Sequence, residues 1–220
     1  MELKGKTINF LGDSITEGAG TSGPEKIYPA VIARNEGLKV ARNYGIGGTR
    51  IARQTGKSAE EKFDLDFCMR VDEMDPHADA VVVFGGTNDW GHGDAFLGCM
   101  NDRTPWTFYG ALHFLYARLY ERYPESEIVV ATPLHRVGEE NPGRRRERHP
   151  AVHPPLSTYV EIIREVARYY ALPVLDLYAT SGIQPNLAAC RERYCPDGLH
   201  PNDAGHAILA RKIAAFLKCL

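Results

Sequence analysis

The 220-residue chain is 44% hydrophobic and 25% charged, with a formal net charge of −2. That balance is ordinary for a globular protein and lacks the basic footprint of a nucleic-acid binder. A chain of this length reads as one domain over residues 1–220. Such a domain buries roughly 70% of its unfolded surface, so folding requires neither a disulfide nor a metal.

The first predicted element is a strand over Lys6–Leu11, which stops abruptly at Gly12-Asp13-Ser14. Pro24–Glu36 follows with apolar residues at Ile27, Ala30, Val31 and Ala33, a helical spacing. Leu38–Asn43, bounded by Gly37 and Gly45, reads as a short strand. Glu60–Met74 is expected to be a helix with an uneven apolar face formed by Phe63, Phe67, Met69, Val71 and Met74. The run ADAVVVFGG, Ala78 to Gly86, is β-branched and ended by glycines, as a buried parallel strand would be. Thr104–Tyr123 repeats Phe108, Leu112, Leu115 and Leu119 at helical spacings. Glu127–Thr132 is a strand stopped by Pro133, Leu156–Tyr170 a helix and Leu172–Leu177 a strand. Asn202–Leu217 closes the series as an amphipathic helix.

Strands alternating with helices predict an α/β fold: a three-layer α/β/α sandwich around a five-stranded parallel sheet. Right-handed crossovers then bring every strand's carboxyl end to one edge, where ligands of open α/β sheets bind. The five cysteines are an odd number and form no CxxC pair, which fits reduced thiols in the cytoplasm. The segment MELKGKTINF has no apolar leader core, and no run approaches 18 uncharged apolar residues. The expectation is a soluble, cytoplasmic protein with no membrane span.

Three loops follow the first three strands: Gly12-Asp13-Ser14, then NYGIGGTR (Asn43 to Arg50), then GGTND (Gly85 to Asp89). A fourth polar cluster, DGLHPNDAGH (Asp197 to His206), precedes the last helix. Each has an ordinary structural explanation taken singly: a turn, a glycine needed for positive φ, an Asx turn, a helix cap at Asn202. Together they supply the parts of acyl transfer. Ser14 needs a base, and His200 is the natural one. Asp197, three residues earlier, orients the imidazole and stabilises its protonated form. A glycine-turn N–H and the Asn88 amide are suited to an oxyanion.

These blocks resemble the SGNH hydrolases, the GDSL-type esterases and lipases, in the family's order from Phe10 to His206. GDSITEG is similar to the first block, NYGIGG to the second, GGTND to the third and DGLHPN to the fifth. The resemblance implies a flavodoxin-like fold and a serine nucleophile at Ser14 with Asp197 and His200 completing a triad. It also implies an oxyanion hole from Ser14, Gly48 and Asn88, with Gly47 a rival for the glycine, and no metal or cofactor. Ile15 stands where the family's name residues have leucine.

Asp13 and Asp89 flank these residues and are expected to brace the loops from behind. Pro133–Pro155 is long and irregular, and its Arg144, Arg145, Arg146 and Arg148 suit either an anionic substrate or a solvated charged loop balanced by Glu139, Glu140 and Glu147. Trp90, His92 and Phe96 could line a pocket for an acyl group or sugar, or simply pack. His92, His135 and His153 lack the spacing of metal ligands. The expected partner is a small-molecule ester, a short acyl group such as acetyl on a carbohydrate or similar alcohol. A lysophospholipase or thioesterase would use the same residues, and a non-catalytic carbohydrate-binding module would keep the same fold. Oligomeric state is left open, a homo-oligomer included.

Overall fold

The computed structural model describes residues 1–140 and 154–220. Five parallel strands form its centre: β1 (Thr7–Gly12), β2 (Val40–Gly45), β3 (Ala80–Phe84), β4 (Glu127–Ala131) and β5 (Val174–Leu175), in the order β2-β1-β3-β4-β5. This is the flavodoxin-like order, with its reversal of direction between β1 and β3. Ile8 pairs with Ala41 on one side and Ala80 on the other, so the two neighbours of β1 end level with it.

A parallel sheet covered on both faces needs strands apolar throughout, and β3 is buried at all five positions. Side chains alternate between two cores. Ile8, Phe10 and Val82 pack with α2 (Tyr28–Glu36) and α9 (Asp203–Lys218) through Tyr28, Ile32, Leu209 and Ile213. Leu11, Val81, Val83 and Val130 pack with α5 (Phe108–Arg122) and α6 (Leu156–Tyr169) through Phe108, Leu112, Leu115 and Val166. The result is the expected three-layer sandwich. Asn9 is the exception inside β1. It is fully buried, donates to Asp75 O at 2.8 Å and Tyr123 Oη at 3.2 Å, and accepts from Arg42.

The expected Glu60–Met74 helix is not continuous. A 3₁₀ turn (Glu61–Asp64), a four-residue helix α3 (Phe67–Arg70) and a second 3₁₀ turn (Val71–Glu73) take its place. Two aspartates compete with the helical backbone there: Asp64 accepts from Ser58 N–H, and Asp66 caps α3 by accepting from Met69 N–H at 2.8 Å. Other boundaries shift for local reasons. Pro24–Lys26 is only a 3₁₀ turn before α2, Thr107 caps α5, and β5 is confined between Pro173 and Asp176, which caps α7 (Leu177–Thr180). Three further short helices lie where loops were expected: α1 (Ser14–Glu17), α4 (Thr87–His92) and α8 (Ala188–Tyr194). All five cysteines are free thiols. Among the described residues, no helix is long and apolar enough to cross a membrane.

Candidate active site

The loops after β1 and β3 flank the reversal of strand order. Asp13 ends the first by capping α1, its carboxylate accepting from Ile15 N–H at 3.0 Å. Ser14 is therefore the first helical residue, and its own N–H has no acceptor within the helix. Its hydroxyl lies 3.0 Å from His200 Nε2. On the far side of the ring, Nδ1 is 2.7 Å from Asp197 Oδ2. The other carboxylate oxygen accepts from the backbone N–H groups of Leu199 at 2.8 Å and His200 at 2.7 Å. With the Nδ1 proton held by Asp197, Nε2 is the nitrogen that faces Ser14 as an acceptor. Burial alone would raise the Asp197 carboxyl, but those backbone donors and the imidazole hold it below its ordinary value.

The loop after β2 is laced to both neighbours. Ile46 N–H donates to Gly12 O, and Asn43 Nδ2 donates to Thr16 O at 2.6 Å. The Gly45 backbone runs so close to α1 that a side chain there would come within 2.1 Å of Glu17 N. Gly47 N–H is committed to Glu17 Oε2 at 3.0 Å. Gly48 has φ +77°, and a Cβ on it would press 2.4 Å into the Phe63 ring, so only glycine suits the position. The next carbonyl, Thr49 O, accepts from Asn88 Nδ2 at 3.0 Å. One amide hydrogen thus fixes the orientation of Asn88, which stands on α4 directly after β3.

Asp89 is buried and committed to the backbone. Its two oxygens accept from Ile51 N–H and Ala52 N–H, each at 2.9 Å, which ties the β2 loop to α4. Burial pushes both Asp13 and Asp89 up to about 6, against the pull of these backbone donors.

Ser14, His200 and Asp197 are therefore in one hydrogen-bonded line, and Gly48 and Asn88 are joined beside it through Thr49. Of the other candidates, Trp90, His92 and His135 are held by neighbouring side chains or backbone, and Phe96 is exposed. Trp90 is buried, with Nε1 donating to Pro154 O and the Arg136 guanidinium 4.8 Å from its ring. His92 Nδ1 accepts from Arg50 Nη1 at 2.8 Å, while Phe96 is exposed. His135 is 2.6 Å from Glu139 Oε1. Glu139 is buried and also accepts from Arg136 N–H, so it is a structural anchor and not a solvated charge. Arg144, Arg145, Arg146, Arg148, Glu147 and His153 lie outside the described residues.

Two residues near the site were not among the candidates, although the first lies inside GDSITEG. Glu17 stands one helical turn after Ser14 and holds Gly47. Arg70 is a charge inside an otherwise apolar stretch, Phe67-Cys68-Met69-Arg70-Val71, and that anomaly was its only mark in the sequence.

The whole chain aligns with known structures. A crystal structure 35% identical covers 100% of this chain and 99% of its own, with a TM-score of 0.85. A protein from Lactobacillus plantarum is 28% identical over 98% of both chains, with a TM-score of 0.82. A two-domain esterase active on acetylated mannans is 22% identical and shares the fold, covering 97% of this chain and 48% of its own at a TM-score of 0.65. Comparison with curated protein sequences gives no match. The model of the GDSL-like lipase/acylhydrolase family matches residues 10–208, the span that runs from β1 to within α9 and holds every residue of the site. On that match, and with an all-parallel sheet in the order β2-β1-β3-β4-β5, the chain belongs to the GDSL-like lipase/acylhydrolase family of hydrolases.

Proposed function

We propose that this protein is a single-domain serine esterase that releases a short acyl group, such as acetyl, from a carbohydrate or similar alcohol. The observation that carries the reading is the line Ser14–His200–Asp197, with separations of 3.0 and 2.7 Å, at the carboxyl edge of the sheet. Ser14 Oγ attacks the ester carbonyl as its proton passes to His200 Nε2, and Asp197 stabilises the resulting imidazolium. Charge then builds on the carbonyl oxygen. The N–H groups of Ser14 and Gly48 and the second amide hydrogen of Asn88 are its donors, Gly47 being occupied by Glu17. His200 returns the proton to the departing alcohol as the carbon–oxygen bond breaks. A water then gives its proton to His200 and attacks the acyl-enzyme, and the same proton goes back to Ser14 as the acid leaves.

The glycine-rich polar edge supports a small acyl group. The acetylated-mannan esterase that shares the fold supports a carbohydrate as the alcohol. Five free thiols support a cytoplasmic setting. The test is hydrolysis of p-nitrophenyl acetate, butyrate and octanoate by wild type and Ser14→Ala, with circular dichroism as the folding control. The expected result is turnover that falls with chain length in the wild type and is abolished in a folded Ser14→Ala. Equal turnover by both proteins would remove Ser14 from the reaction.

A further inference from the structure

Arg70 lies beneath the strand ends, 4% exposed, and its guanidinium makes four hydrogen bonds. Nε donates to Leu65 O at 3.0 Å and Nη1 to Tyr44 O at 2.6 Å. Nη2 donates both to Gly12 O at 3.0 Å and to Thr49 Oγ1 at 2.9 Å. The guanidinium also lies 4.7 Å from the Phe67 ring centre, which holds it from α3.

The acceptors of Nη2 are what matter. Gly12 is two residues before Ser14, so its carbonyl belongs to the turn that aims the Ser14 N–H. Thr49 directly follows Gly48, and its carbonyl is the acceptor that holds the Asn88 amide. One nitrogen therefore touches the segments that carry Ser14 and Gly48, and the second of these holds the Asn88 amide through Thr49 O. Burial pushes the guanidinium down to about 10, against the raising influence of Asp13 and Asp66. A buried cation is a poor way to gain stability alone, since an apolar side chain of similar volume commonly serves as well. A planar fork with donors in fixed directions is what a three-loop junction requires, and lysine lacks it.

We infer that Arg70 is the positioning residue of the oxyanion site, locking the Ser14 turn against the Gly48-Thr49 turn and, through Thr49, setting the place of the Asn88 amide. The inference rests on the serine-esterase reading above. It is tested by kcat and KM on p-nitrophenyl acetate for wild type, Arg70→Met, Asn88→Ala and the double variant, each checked by circular dichroism. Misplacing a catalytic geometry by an ångström costs on the order of 10² in rate, and that is the expected fall in kcat for folded Arg70→Met, with KM little changed. The double variant is expected to lose less than the product of the two single losses, because the amide that Arg70 helps to place is already gone while the Ser14 and Gly48 donors are still displaced. Guanidinium ion added below denaturing concentration should restore part of the rate to Arg70→Ala.

A folded Arg70→Met with wild-type kcat overturns the inference, as do losses that multiply in the double variant. Should Arg70→Met not fold, Thr49→Val decides. It removes one acceptor of Nη2 together with the bond that the same hydroxyl donates to Ile46 O, and a kcat reduced about tenfold or more is expected. Unchanged kcat in Thr49→Val counts against Arg70. Activity surviving in Ser14→Ala counts against the esterase reading itself, whereas an inactive Ser14→Ala beside a fully active Arg70→Met counts only against the role of Arg70.

Discussion

A serine hydroxyl becomes a useful nucleophile only while a base stands ready for its proton, and in the proposed reaction Ser14 takes that base, His200, from a loop 186 residues further along the chain. The arrangement asks little of each residue and much of their relative placement. Asn88 illustrates this: one amide hydrogen is spent on Thr49 O, and the orientation so imposed is what aims the other. Asn88→Ala should therefore lose on the order of 10²–10³ in kcat while keeping its circular dichroism spectrum, measured on p-nitrophenyl acetate. Unchanged kinetics would take Asn88 out of the oxyanion site. At this scale, Ser14, Asn88, Asp197 and His200 were readable as candidates because each sits in a short motif of unusual composition. Gly48 was readable only as one of two glycines, since the choice depends on Glu17 occupying the neighbouring N–H. Arg70 showed only as a charge in an apolar stretch, with no hint of its role. Three of its four partners are backbone oxygens, which every residue carries, so no spacing betrays them.

Elements were legible where burial on both faces forced continuous β-branched runs, as in β3 and β4, or where an apolar stripe persisted over several turns, as in α5 and α9. They were illegible where side chains compete with the backbone. Glu60–Met74 has helical spacing, yet Asp64 and Asp66 take backbone N–H groups and break it into three pieces, and the last residue of α3 is Arg70. The short helices α1 and α4 escaped notice because neither has a full turn of apolar repeat. Their entry points are set by backbone contact instead. At Gly45 the end of β2 lies directly against the backbone of α1, with Glu17 N and Thr16 C in the place a methyl group would occupy. Neither atom can swing aside like a side-chain tip. Gly45→Ala is expected to destabilise by roughly 1–3 kcal/mol, read from the midpoint of urea unfolding, and to reduce turnover per folded molecule because α1 carries Ser14. A wild-type midpoint would mean that the two backbones separate freely.

The whole molecule has a dependence on acidity that is separate from catalysis. His206 on α9 is fully buried against Tyr28 of α2, its ring stacked at 6.0 Å and its Nδ1 accepting from Tyr28 N–H. Burial pushes it down to about 4 from an ordinary 6.5. As pH falls through that window the unfolded chain takes up a proton that the folded chain refuses, so stability present above pH 6.5 is lost towards pH 4. Asp13 and Asp89, raised to about 6, act in the opposite direction: the folded protein holds their protons more tightly, so their contribution is lost as pH rises through 6. The wild-type profile is thus a partial cancellation. Replacing His206 with Gln, which keeps an acceptor for Tyr28 N–H, should remove one side of it. Between pH 6.5 and 4.5 the wild type is expected to lose roughly 2 kcal/mol more than His206→Gln in urea unfolding. Parallel profiles would show that His206 protonates without strain.

In the proposed reaction the hydroxyl and the imidazole that activates it are also far apart in the order of synthesis, 186 residues separating them. Ser14 is translated before β2 and β3, and His200 only after all five strands have been made. Until His200 is added, the proposed nucleophile is an unassisted alcohol. On the proposed reading, hydrolytic power arrives only when the segment before α9 joins the finished sheet, so a partial chain that stops short of His200 lacks it.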